Sequence, residues 1–206
     1  MTHPFMAAIA ELLAEAGVST LRFQFPYMEA GSKRPDRPAV AHAAIRAAVR
    51  KAAKLAPALP LFAGGKSFGG RMTSQVQSVE PLPNVRGLVF LGFPLHPPEK
   101  PSVERAAHLS DIRIPMLFIQ GTRDALAQPA LLQEVLKNLG KRATSRPVKD
   151  ADHSFGVLVR SGRSDREVLS EVAGSAAKWI GKRIAAPRSV VSRTPIRPSG
   201  NARKNV

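Results

Sequence analysis

The chain has 206 residues, 44% of them hydrophobic, which is enough for one domain with its own core and too few for two full-sized domains. Cysteine is absent, which excludes disulfides, thiolate metal sites and a cysteine nucleophile. Lys and Arg (31) outnumber Asp and Glu (15) and give a formal net charge of +16, but only 5% of the residues are aromatic, so a base-stacking, specific nucleic-acid-binding surface is not expected.

The two ends of the chain and its hydropathy add three expectations. No apolar run reaches the roughly 18 residues of a membrane span, so no membrane partner is expected. Residues 1–5 lack the basic and apolar stretches of a signal peptide, which favours a cytoplasmic location. Residues 187–206 carry only basic charges among Pro, Ser and Gly, which predicts a disordered basic tail after a domain over residues 1–186.

Helices and strands are predicted to alternate in the first half of the chain. Apolar residues at helical spacing predict a first helix that ends at Gly17, and Val18–Phe25 has the composition of a strand that Pro26 stops. The next segment, Met28–Pro38, lacks periodicity and is predicted to be a loop. The predicted elements are a helix over 5–16, a strand over 18–25, an Ala-rich helix over 39–56, a strand over 59–63 and a helix over 68–79.

The second half continues the alternation. Val85–Gly92 is a nearly continuous apolar run, as expected for a strand buried on both faces, and the Pro-rich segment Phe93–Pro101 is predicted to be irregular. The other predicted elements are strands over 114–120 and 143–148 and helices over 131–139 and 166–184. This order predicts an α/β fold with a mostly parallel sheet and helices on both faces, whose sites lie beyond the carboxyl ends of the strands.

The pentapeptide Gly65–Gly69 (GKSFG) lies between a predicted strand and a predicted helix. G-x-S-x-G in this position holds a serine hydroxyl on a tight, strained turn, which makes Ser67 a candidate nucleophile. A helix N-cap serine is the simpler alternative. A phosphate-binding loop is the other, but it needs glycine where Pro60 stands, and no predicted strand ends in the Asp that would hold Mg²⁺.

Two later strand ends carry the remaining groups of a nucleophilic triad. Asp124 follows the strand over 114–120, and His153 follows the strand over 143–148. An imidazole accepts the serine proton, and a carboxylate orients the imidazole and stabilises its charged form. The chain order Ser67, Asp124, His153 therefore predicts a base and an acid for the Ser67 nucleophile.

Other residues compete for these roles. Asp111 precedes a strand instead of following one, and Asp152 adjoins His153 in sequence, so both are weaker acids for the triad. The other histidines are His3, His42, His96 and His108, of which His96 either lines a pocket or is a simple loop residue. The roles of three further sets stay open. Arg71 either belongs to the site or lies on the surface, and Tyr27, Met28 and Phe93–Leu95 either shape a substrate pocket or anchor loops. No HExxH motif or similar spacing indicates a metal, and no cofactor is expected.

Five motifs together resemble a known family. They are FQFPY at 23–27, AGGKSFGGR at 63–71, LGFPLH at 91–96, QGTRD at 120–124 and DHSF at 152–155. From about His3 to Ile184 the chain resembles the α/β-hydrolase superfamily. More narrowly, it is similar to dienelactone-hydrolase-like bacterial proteins related to testis-expressed protein 30 and to the third subunit of the non-specific-lethal histone acetyltransferase complex.

The resemblance implies Ser67 as nucleophile, His153 as base and Asp124 as acid, with the Phe68 N–H in the oxyanion hole. Members of the family usually begin with a strand and a His-Gly-Ala-Gly-type loop that supplies a second oxyanion donor, whereas this chain begins at the following helix. In the family's sheet that strand lies between the strands predicted here at Val18 and Leu59. We therefore expect an N-terminally truncated member, with a degraded relative as the alternative.

The predicted function is serine hydrolysis of a small-molecule ester or thioester through an acyl-enzyme. A non-catalytic interaction module that keeps the fold is the alternative, as the scaffold-subunit relatives imply. Nucleic-acid binding through the basic surface is a third hypothesis, which predicts steep salt dependence and loss of binding on deletion of residues 187–206. No oligomeric state is predicted.

Overall fold

Four parallel strands form one sheet in the order β1-β2-β3-β4 in a computed structural model that describes residues 3–185. The strands are β1 (Leu61–Lys66), β2 (Val85–Leu91), β3 (Met116–Gly121) and β4 (Ala143–Val148). The helices are α1 (Pro4–Glu15), α2 (Pro26–Glu29), α3 (Pro38–Leu55), α4 (Phe68–Val79), α5 (Pro129–Leu139) and α6 (Asp165–Ala185). Short 3₁₀ segments span Glu104–Asp111, Gly140–Arg142 and Val159–Ser161. The predicted α/β fold with a parallel sheet is confirmed.

The sheet separates two apolar cores. On one face, side chains of α3, α4 and α5 pack against residues such as Phe90 and Phe118. On the other face, α1 and α6 cover residues such as Leu117 and Ile119. Because successive side chains of a strand point to opposite faces, the apolar run 116–119 of β3 supplies both cores, and all six residues of the strand are buried.

The strand predicted over Val18–Phe25 is wrong. These residues lie between α1 and α2 without strand hydrogen bonding, and Leu21 and Phe23 are 39% and 37% exposed. A strand exists only where a neighbour offers a ladder of backbone donors and acceptors, and within residues 3–185 the strand paired with β1 is β2 alone. Phe25, at the end of the segment, is nevertheless buried.

Two other expectations differ from the structure or lie outside it. The loop predicted over Met28–Pro38 begins inside the short helix α2, because Pro26 occupies the first turn, where its missing N–H costs nothing. The tail predicted over residues 187–206 lies outside the described residues. Among the helices of residues 3–185, none is long and apolar enough to cross a membrane.

The 3₁₀ segment Glu104–Asp111 is joined to α4 by a hydrogen bond of the partly buried His108. Ser74 Oγ donates to the carbonyl of Arg71 at 2.8 Å and therefore accepts from His108 Nε2 at 2.7 Å. Burial lowers the pKa of His108 to about 4, the charge of Arg71 and the neighbouring His42 add to this effect, and Asp111 opposes it. His108 is therefore neutral at neutral pH and serves as a packing contact.

This contact predicts an acid sensitivity of the fold. The unfolded chain binds a proton at His108 near pH 6.5 whereas the folded protein does so only near pH 4, so stability falls as the pH is lowered through that window. We expect the free energy of unfolding in urea to decrease between pH 7 and pH 5 by about 1 kcal/mol more in the wild type than in His108→Gln, since solvent screens part of the effect. An equal pH dependence in the two proteins would contradict this assignment.

Candidate active site

Ser67 occupies a strained turn between β1 and α4. Its φ of 50° and ψ of −116° lie in a region that L-residues rarely adopt. Glycines permit the close approach that the turn needs, because a Cβ on Gly70 would lie 2.7 Å from the carbonyl oxygen of Gly65. The Ser67 N–H donates to Leu91 at the end of β2, at 3.1 Å, so the turn is fixed to the neighbouring strand.

Ser67, His153 and Asp124 form one hydrogen-bonded chain. Ser67 Oγ lies 2.9 Å from His153 Nε2, and His153 Nδ1 lies 2.7 Å from Asp124 Oδ2. The Asp124 side chain is fully buried, whereas that of His153 is 22% exposed. A carboxylate accepts, so Nδ1 carries the imidazole proton and Nε2 is the atom that accepts the serine hydroxyl proton. A hydroxyl, an imidazole and a carboxylate at these distances have the geometry that a nucleophile, a general base and an orienting acid require.

Both oxygens of the Asp124 carboxylate are held in place. The N–H of Leu126 donates to Oδ1 at 2.8 Å, and Gln120 Nε2 donates to Oδ2. Gln120 is itself fixed, because its Oε1 accepts from the N–H of Phe93 at 2.8 Å. The sequence analysis assigned Gln120 no role. The available signal was a polar side chain closing the buried apolar run of β3, where a polar residue requires a partner.

The loop that carries His153 is shaped by Asp152. Oδ1 of Asp152 accepts from the N–H groups of Ser154, at 2.7 Å, and Gly156, at 2.9 Å. This carboxylate therefore forms the turn around His153, whereas Asp124 contacts the imidazole. Glycine lets the neighbouring strand end approach the loop, since a Cβ on Gly121 would lie 2.3 Å from the carbonyl oxygen of Ala151.

The other candidate residues lie outside this hydrogen-bonded chain. His96 is 1% exposed, with Nδ1 2.8 Å from the carbonyl of Pro97 and Nε2 accepting from Gln128, so it is a structural loop residue. Phe93 and Leu95 are fully buried and anchor the irregular segment in the core. His108, as described, binds Ser74 instead.

Phe68 begins α4, so its N–H has no acceptor within the helix. Its ring is in edge contact with Phe25 and Tyr27, with centroids 5.3 and 6.1 Å apart, and Arg71 lies 5.9 Å from the ring centroid. Burial lowers the pKa of Arg71, and the charge of Arg105 adds to this effect. No carboxylate within residues 3–185 forms an ion pair with Arg71, so it covers the first turn of α4 by packing against Phe68.

A metal centre is not assembled by the part of the chain that the structure describes, since no three His, Asp or Glu side chains come together there.

The comparisons with known proteins agree with this fold. Residues 1–181 match the family model described as an alpha/beta hydrolase domain. A serine hydrolase homologue from Coxiella burnetii is 22% identical, with a TM-score of 0.64 over 83% of this chain and 76% of that one. A lidless serine hydrolase from Xanthomonas campestris is 19% identical, with a TM-score of 0.65 over 87% and 75%. A dienelactone hydrolase from Anabaena variabilis is 19% identical, with a TM-score of 0.66 over 88% and 80%. At these identities the structural likeness concerns the fold.

The Gly121 contact predicts a specific substitution effect. Gly121→Ala places a methyl group against the carbonyl oxygens of Ala151 and Asp152, so the His153 loop must move away from β3. We expect a loss of about 2 kcal/mol or more in the free energy of unfolding, as for other forced overpacking. Gly174→Ala is the matched control, because a Cβ there meets nothing within 4 Å inside α6, and it should leave stability unchanged or raise it by up to about 1 kcal/mol. Equal stabilities of the two variants in urea would contradict the argument.

Proposed function

We propose that this chain, which belongs to the alpha/beta hydrolase family, is a serine hydrolase that cleaves small-molecule esters or thioesters with Ser67 as the nucleophile. The observation that supports the proposal most is the continuous path from Ser67 Oγ through His153 to Asp124, with separations of 2.9 and 2.7 Å. The strained backbone at Ser67 adds support, because such strain concentrates at functional sites.

The reaction begins with attack of Ser67 Oγ on the substrate carbonyl carbon. His153 Nε2 takes the hydroxyl proton as the Oγ–C bond forms, and Asp124 stabilises the resulting imidazolium through Nδ1. The tetrahedral intermediate carries a negative oxygen, which accepts a hydrogen bond from the Phe68 N–H at the positive end of α4. Collapse breaks the bond to the leaving alcohol or thiol, which receives the proton from His153.

Deacylation repeats these steps with water. His153 removes a proton from the water molecule as its oxygen attacks the acyl carbon, and Ser67 Oγ leaves and recovers the proton. Asp124 serves both half-reactions because its two oxygens are held by Leu126 and Gln120 and its side chain does not turn. The acid leaves, and the hydrogen-bonded chain of the free enzyme is restored.

The sequence motifs suggest a narrower group within the family. We propose that the chain is dienelactone-hydrolase-like, which the fold shared with the dienelactone hydrolase of Anabaena variabilis supports. The relationship to testis-expressed protein 30 and to the third non-specific-lethal subunit stays a prediction from sequence, as does the cytoplasmic location.

Covalent labelling tests the nucleophile directly. A serine-directed fluorophosphonate should label the wild type with a stoichiometry of one and leave Ser67→Ala unlabelled, because Oγ of Ser67 is the atom next to a base. Ser110→Ala, at an exposed serine of the 3₁₀ segment, is the control and should label like the wild type. Intact-mass spectrometry measures each adduct. An unlabelled wild type would instead support the non-catalytic interaction module.

Kinetics of Asp124→Asn test the orienting acid. An amide at this position can donate to Nδ1, which favours the tautomer whose Nε2 carries a proton and cannot accept from Ser67. We expect kcat for p-nitrophenyl acetate to fall by on the order of 10³–10⁴ with the fold retained. A value of kcat within tenfold of the wild type would remove Asp124 from the mechanism.

A further inference from the structure

The side chain of Lys66 connects β1, which precedes Ser67, to the loop that carries His153. Lys66 is the first of the two variable residues of the G-x-S-x-G pentapeptide and the last residue of β1, directly before Ser67. Its Nζ donates to the backbone carbonyl of His153 at 2.6 Å, across 87 positions of sequence. One side chain therefore joins the backbone next to the hydroxyl to the backbone that carries the imidazole.

Two aromatic rings enclose the same ammonium. Nζ lies 5.0 Å from the ring centroid of Phe5, in α1, and 5.5 Å from that of Phe155, two residues after His153. The two rings stack on each other with centroids 5.7 Å apart. A cation over an aromatic face is attracted by the ring quadrupole. The ammonium is thus held on the His153 loop by the rings as well as by the carbonyl.

Lys66 is partly buried, so its ammonium needs compensation for lost hydration. Burial lowers the pKa of Lys66, and the carboxylates of Asp124 and Asp152 oppose this effect. An apolar side chain of similar length would avoid the desolvation cost. The packing of the core therefore does not explain a lysine here, whereas a requirement for a directed donor to the His153 loop does.

We propose that Lys66 is a positioning residue, which fixes the carbonyl of His153 and thereby holds Nε2 within hydrogen-bond reach of Ser67 Oγ. The inference rests on the proposed function, in which His153 is the base. Proton transfer depends steeply on geometry, and a displacement of about 1 Å can reduce a rate by on the order of 10². Because Nζ contacts the carbonyl of His153 and the ring of Phe155 in the same loop, its loss should move that loop and so affect the chemical steps more than substrate binding.

The test replaces the donor while keeping the length of the side chain. In Lys66→Met we expect kcat, expressed per site titrated with fluorophosphonate, to fall roughly 10- to 100-fold with KM within about twofold of the wild type. Lys141→Met, at an exposed lysine, is the matched control and should keep both constants. Thermal unfolding shows that each variant is folded. A Lys66→Met kcat within twofold of the control would overturn the proposal.

A spectroscopic measurement separates this inference from the proposed function, because it needs no turnover. The downfield proton resonance of His153 Nδ1–H, identified by its loss in His153→Gln, reports how firmly the imidazole is held against Asp124. We expect faster exchange with water and a shifted resonance in Lys66→Met and an unchanged resonance in Lys141→Met. An unchanged resonance in Lys66→Met would overturn the positioning role, whether or not the wild type reacts with the fluorophosphonate.

Discussion

The close approach of β1 and α4 at Ser67 is the constraint on which the rest of the site depends. A strand that turns into a helix within one residue holds Ser67 at a φ of 50°, and this geometry needs Gly70, because a Cβ there would lie 2.7 Å from the carbonyl oxygen of Gly65. The turn places Oγ of Ser67 2.9 Å from Nε2 of His153 and leaves the Phe68 N–H without an intrahelical acceptor. One backbone arrangement therefore supplies both a candidate nucleophile and a candidate oxyanion donor.

The parallel sheet brings the remaining groups to this turn. The ends of β3 and β4 lie at the same edge as the end of β1, so residues that are 86 and 29 positions apart in sequence come within hydrogen-bond distance. Gly121 permits the His153 loop to approach the end of β3. Nearby donors then hold these groups in place: Leu126 and Gln120 donate to the carboxylate of Asp124, and Lys66, from the end of β1, donates to the carbonyl of His153. The reactive atoms are ordered by these neighbours before a substrate arrives.

Sequence patterns predicted the bounds of an element best where a local structural signal marks its start. The helix predicted over residues 68–79 and the strand predicted over residues 143–148 have those bounds in the structure, where the glycine-rich turn precedes the helix and a 3₁₀ segment precedes the strand. The strand prediction over Val18–Phe25 was wrong because strand propensity describes only the segment itself. A strand also needs a neighbouring strand with which to form backbone hydrogen bonds. The sequence also did not predict that Phe93 and Leu95 are buried, since a Pro-rich segment can lie on the surface or be anchored in the core.

The sequence by itself determined the fold class and made Ser67, Asp124 and His153 the leading candidates for the site, because each follows a predicted strand and has the side chain that its proposed role requires. Only the tertiary structure decided that Asp124, and not Asp152, meets the imidazole, and that Gln120 and Lys66 support the pair. The reason is physical: a motif fixes the backbone over a few residues, whereas a hydrogen bond across 87 positions depends on how separate elements pack.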